Sequence, residues 1–129
     1  MLVGASPRRV AIVGGARIPF ARGNGAYAQV GNQEMLIAAL RGVVERFGLR
    51  GQRIDDVAAG AVVKHSSQWD LTRESVLGCG LALETPGLDL QRACGTGLEA
   101  AIPARSSRDR KSTRLNSSHS KQSRMPSSA

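Results

Sequence analysis

Leu90-Gln91-Arg92-Ala93-Cys94-Gly95-Thr96-Gly97-Leu98-Glu99-Ala100-Ala101 reads as a strand that turns sharply into a helix, with a cysteine at the bend. The run Leu88 to Leu90 leads in as a strand, and the residues after Gly97 continue with a helical pattern. A nucleophile at such a bend forms an elbow, the arrangement of Gly-x-Ser-x-Gly hydrolases. The elbow lifts the sulfur above the sheet and sets it at a helix start. Unpaired backbone N–H groups and the helix dipole there favour a negatively charged sulfur. Small neighbours let a substrate approach the backbone. Two readings of Cys94 stand on this stretch alone: a reactive nucleophile, or a structural thiol in a Gly-rich turn.

Upstream, Arg9-Val10-Ala11-Ile12-Val13 is an apolar run without polar alternation, which predicts a strand buried on both faces. Gly14-Gly15 ends it, and a loop through Pro19, Phe20 and Gly25 follows. Asn32 is a candidate N-cap for a helix from Gln33 to Phe47. Leu36, Leu40, Val43, Val44 and Phe47 fall at helical spacing, and Gly48 suits the C′ position. A second strand is expected over Val57–Val63, after Asp55-Asp56. Asp70 is a candidate cap for a short helix from Leu71 to Gly78, and Thr85-Pro86-Gly87 is a turn. The order β-α-β-α-β-α predicts an α/β fold with a mostly parallel sheet.

The chain of 129 residues carries a net charge of +8, and its distribution decides what that means. Residues 1–103 hold 11 Lys/Arg against 9 Asp/Glu, whereas residues 104–129 hold 7 against 1. The body is nearly neutral and shows no basic face interleaved with aromatics, so no nucleic-acid partner is expected of it. The tail, 104–129, is Ser-rich and almost without apolar residues, a composition that predicts disorder. It reads as a basic arm, as a solvated tail, or as translated sequencing adapter over Asp109-Arg110-Lys111-Ser112-Thr113-Arg114-Leu115-Asn116-Ser117-Ser118-His119. The last reading is preferred, because eleven residues in order are hard to match by chance. It makes the tail an artefact and ends the gene inside the helix after Cys94. The expected division is therefore a domain over 8–103 and a tail over 104–129.

No apolar run is long enough to span a bilayer. The N-terminus puts its charges after its apolar residues, the reverse of a secretory signal. Two cysteines, Cys79 and Cys94, do not make a disulfide framework, and a cytoplasmic location is expected.

With the tail set aside, residues 8–103 resemble the N-terminal part of a thiolase. Val10-Ala11-Ile12-Val13 and Gly15-Ala16-Arg17-Ile18-Pro19-Phe20 resemble that family's first strand and Arg-Thr-Pro-Phe loop, with Ile18 where Thr is usual. Asp55-Asp56-Val57 through Gly60-Ala61-Val62-Val63 resembles its second strand. Leu71-Thr72-Arg73-Glu74 with Leu77-Gly78 resembles the helix that follows. Gln91-Arg92-Ala93-Cys94-Gly95-Thr96-Gly97-Leu98 resembles the acyl-accepting Cys-x-Ser-Gly motif, with Thr96 for Ser and Gln91 where many members have Asn. The Arg-Ala-Cys form points to the fatty-acid β-oxidation branch, including the thiolase subunit of trifunctional complexes.

The resemblance implies an incomplete N-terminal half of a thiolase-like fold in an acyltransferase of acyl-CoA thioesters. Because the elbow is shared across the superfamily, a ketoacyl-synthase-like condensing enzyme or a non-catalytic thiolase-like protein is the alternative. Cys94 would be the acyl-thioester nucleophile and its backbone N–H an oxyanion donor, with Gly95 and Gly97 serving backbone shape and close packing. Coenzyme A would be substrate and product, with no metal and no other cofactor. The parent enzyme would be a homo-oligomer, a dimer or tetramer, or a partner in a trifunctional complex. The family's activating histidine in Gly-His-Pro, second cysteine in Cys-x-Gly-Gly and Asn-Glu-Ala-Phe segment have no counterpart in this sequence, which implies an inactive chain. The absence of strands that complete the family's sheet implies a marginally stable one. His65 reads as a surface residue, His119 falls in the tail, Cys79 reads as a small buried hydrophobe, and Arg73 and Glu74 read as structural or subunit contacts.

Overall fold

The computed structural model describes residues 11–102. The expected tail and the beginning of the first expected strand, Arg9 and Val10, lie outside them. Four elements are bounded: α1 (Asn32–Arg46), β1 (Val57–Gly60), α2 (Leu71–Cys79) and β2 (Gly87–Leu90). A last helical segment, α3, covers residues 96–102.

β1 and β2 pair in parallel, with Val57 opposite Gly87 and Gly60 opposite Leu90. Parallel neighbours need a crossover, and α2 with its flanking loops supplies it. The pairing is close. A Cβ on Gly60 would overlap the Leu90 carbonyl oxygen, and one on Gly87 would lie 2.8 Å from the backbone of Arg73. These two glycines let the strands meet each other and α2.

α2 is the most enclosed element, with Leu71, Thr72, Ser75, Val76 and Cys79 all buried. Of its two buried hydroxyls, Ser75 Oγ donates to the Leu71 carbonyl at 2.7 Å, whereas Thr72 Oγ1 has no hydrogen-bond partner among the described residues. The core gathers Val44, Val76, Cys79 and Leu81, with Leu40, Leu49, Ile54 and Val57 packed against it. Burying side chains of this size stabilises by roughly 1.5–3 kcal/mol each.

α1 packs along α2. The fit depends on Gly78, where a Cβ would lie 2.7 Å from Ile37 Cδ1. Arg41 closes the same junction by donating from Nε and Nη2 to the Gly78 carbonyl at 3.0 and 2.8 Å. This satisfies an orphan acceptor of the last turn of α2 and sets a cation against its dipole. Arg73 donates to the carbonyls of Thr85 and Leu83, at 2.8 and 2.7 Å, and so holds the turn before β2.

The helix ends lie within a residue of expectation, α1 closing at Arg46 and α2 at Cys79, but the cap of α1 differs. Gly31 rather than Asn32 is the N-cap of α1, and its N–H donates to Glu34 Oε2 at 2.8 Å. Asn32 lies inside the first turn, and its side chain donates to the Val63 carbonyl at 2.8 Å. Gly48, at φ 62°, occupies the C′ position expected of it.

The first expected strand is a correction. Residues 11–13 lie outside the sheet, and Ile12 and Val13 are 94% and 80% exposed. The following residues instead run beside α1: Arg46 donates to the Gly15 carbonyl at 2.9 Å, and Gly14 faces the Phe47 ring. An apolar run becomes a strand only by pairing with a sheet edge, and residues 11–13 pair with neither edge of the two-stranded sheet. The second strand is also shorter than expected, ending at Gly60 rather than Val63.

Candidate active site

β2 ends at Leu90, and the chain turns through Gln91 to Gly95 into α3. Cys94 is exposed at that turn, whereas Cys79 is buried and its Sγ donates to the Val76 carbonyl at 3.2 Å. The structure therefore places one thiol at the surface and the other in the core.

The turn is shaped by one hydroxyl. Thr96 is 5% exposed, and its Oγ1 accepts from the Arg92 N–H and donates to the Ala93 carbonyl, both at 2.8 Å. The Gly95 N–H donates to the Arg92 carbonyl at 2.9 Å, and Arg92 pairs with Glu99 at 2.9 Å across the start of α3. Ala93, just before the cysteine, has φ 42°, in the left-handed region that an L residue enters at a cost. A tight turn held by Thr96 is what keeps it there. Gly95 is exposed, and a Cβ there would lie 3.3 Å from the Arg92 carbonyl oxygen of its own turn. Gly97 faces open space.

The strand beneath the elbow is fixed by a residue that the sequence reading passes over. Asp89, inside β2, accepts from the backbone N–H groups of Leu71 at 3.1 Å and Thr72 at 2.6 Å. It also pairs with Lys64 Nζ at 2.6 Å. Asp70 precedes α2, as expected, but makes no side-chain cap; Asp89 caps the helix from across the chain. Burial pushes the Asp89 carboxyl upward. The hydrogen bonds from Lys64 and Thr72 and the Lys64 charge outweigh this and hold it below its ordinary value. The signal was a single carboxylate between Leu88 and Leu90 in an otherwise apolar strand.

Beside the elbow lies an open cleft of about 530 Å³ lined by Lys64, His65, Ser66, Gln68, Trp69 and Gln91. Gln91 is its link to the turn, donating to the Val62 carbonyl at 3.1 Å; Cys94 is not in the lining. His65 is exposed in this loop, as expected of a surface residue. No group of three or more His, Cys, Asp or Glu among the described residues is placed to hold a metal. No helix of the described residues is long and apolar enough to cross a membrane.

Residues 10–107 match the family model described as thiolase, N-terminal domain. The chain belongs to the thiolase family. It is 36% identical over 92 residues to a 3-ketoacyl-CoA thiolase of Photorhabdus laumondii, covering 71% of this chain and 21% of that protein. It is 34% identical over 97 residues to a 3-ketoacyl-CoA thiolase of Vibrio cholerae, covering 75% and 22%. The acetyl-CoA acetyltransferase of Bacillus anthracis shares its fold with a TM-score of 0.59 at 24% identity, covering 70% of this chain and 22% of that one. The chain thus spans about a fifth of the length of these thiolases.

Proposed function

We propose that Cys94 is the acyl-accepting nucleophile of a thiolase-type acyltransferase. The observation that carries this is an exposed thiol at a hydroxyl-braced strand-to-helix turn, in a chain of the thiolase family. In the step, the Cys94 thiolate attacks the carbonyl carbon of an acyl-CoA. A new C–S bond forms, and the C–S bond to coenzyme A breaks. Coenzyme A leaves as a thiolate that takes up a proton. The Cys94 backbone N–H is the proposed donor to the oxyanion of the intermediate. In degradation, the thiolate attacks the 3-keto carbon of a 3-ketoacyl-CoA instead. The new C–S bond forms, the C2–C3 bond breaks, and acetyl-CoA leaves as a carbanion that takes up a proton. Coenzyme A then removes the acyl group as a shortened acyl-CoA. In synthesis, an acetyl-CoA carbanion takes it in a Claisen condensation. The 3-ketoacyl-CoA thiolase names of the relatives support the degradative, fatty-acid β-oxidation direction. Coenzyme A is substrate and product, and the scheme calls for no other cofactor. By the same resemblance the parent enzyme assembles as a homo-oligomer or within a trifunctional complex. The order of charges at the N-terminus and the two cysteines support a cytoplasmic location.

Incubating the chain with excess acetyl-CoA and mapping the product by mass spectrometry tests the half-reaction. One acetyl group on Cys94, absent from Cys94→Ala, is the expected result. Equal labelling of Cys94→Ala would refute the assignment. Steady-state thiolysis of acetoacetyl-CoA is not expected, because no described histidine braces the thiol; sustained turnover by this chain would overturn that part.

A further inference from the structure

We infer that Asp89 is a positioning residue for the Cys94 elbow. The inference rests on the acyl-transfer reading for its chemistry, but its geometry stands independently. Asp89 lies five residues before Cys94, on the strand that runs directly into the turn. Its two carboxylate oxygens join three separate segments: β2 itself, the first turn of α2 through Leu71 and Thr72, and the loop after β1 through Lys64. Lys64 in turn reaches the Trp69 carbonyl at 3.5 Å, so the loop is gathered from both ends. On the next residue of β2, Leu90 is held by its pairing with Gly60. Gly60 also receives Thr96, whose Cγ2 would lie 3.0 Å from a Cβ there. Asp89 therefore anchors one side of the strand end, while β1 and Thr96 hold the other. Removing the carboxylate frees the strand end to shift relative to α2, and the turn shifts with it.

The shape-conserving variant Asp89→Asn is the test, with Lys64→Met as a milder one that leaves the α2 cap in place. Hydrogen exchange is read at the amides of Arg92, Gly95 and Thr96, with the interior of α1 as the control. In Asp89→Asn the elbow amides should exchange about tenfold faster, the size set by losing a charged hydrogen bond, while α1 stays within about twofold. Lys64→Met should shift them in the same direction by a smaller factor. For acyl transfer from acetyl-CoA, Asp89→Asn should lower the maximal rate of Cys94 acetylation about tenfold and leave the half-saturating acetyl-CoA concentration unchanged. Elbow amides that hold their parental protection in both variants would overturn the inference, as would equal acceleration throughout α1. Failure of the parent chain to acetylate at all would count against the acyl-transfer reading alone, since the exchange comparison does not depend on it.

Discussion

Thr96 shows why the elbow needs a hydroxyl and not merely a small residue. Its Oγ1 both accepts and donates within the turn, satisfying the Arg92 N–H and the Ala93 carbonyl. Thr96→Ser should preserve the turn. Thr96→Val should lose about 1–3 kcal/mol by stranding the Arg92 donor, measured as a shift in the urea midpoint. Asp89 sets a pH dependence of defined sign. Its folded-state carboxyl titrates below the ordinary value of 3.8, so its contribution is complete above that value. The contribution is lost as pH falls through the lower folded value. Urea midpoints recorded from about pH 6 down to about pH 3 should fall more steeply for the parent than for Asp89→Asn. At this scale the sequence was legible for Cys94, whose neighbours and order are distinctive. It was not legible for Asp89, because the role depends on a helix start that lies 17 and 18 residues earlier and meets it only in space.

Among the elements, the parallel pair is the most sensitive to a single atom. Gly60→Ala places a methyl group on the Leu90 carbonyl, and no flexible side chain is available to yield. The substitution should cost about 2–3 kcal/mol or more, seen as a lower thermal midpoint, whereas Gly97→Ala should change it little. Helices α1 and α2 were readable from local pattern because their periodicity is contained in the segment itself. Cys79 follows the same logic, as a small apolar residue on the inner face of α2. The run at Arg9–Val13 was not readable in this way. Strand formation is a property of a pair, and its described part, 11–13, has no sheet partner among the described residues. Asn32 misled for a related reason, since its amide is taken by the distant Val63 carbonyl and leaves the capping position to Gly31.

On the scale of the whole molecule, the described residues expose many large apolar side chains. Phe20 and Trp69 are each 89% exposed, and Leu83, Leu98 and Val63 are about as open as polar surface residues. A two-stranded sheet with so small a core stabilises weakly. The thermal transition of the chain should be broad, and sedimentation should show association that rises with protein concentration. A sharp transition in a strictly monomeric sample would contradict this.

The contrast between Cys94 at the surface and Cys79 in the core gives the chain an internal clock. A single thiol reagent meets the first residue at once and the second only when the packing of α1 on α2 opens. The ratio of the two labelling rates is then a direct reading of how often the core opens. The same sample that reports on the reactive thiol thus reports on the integrity of the scaffold holding it.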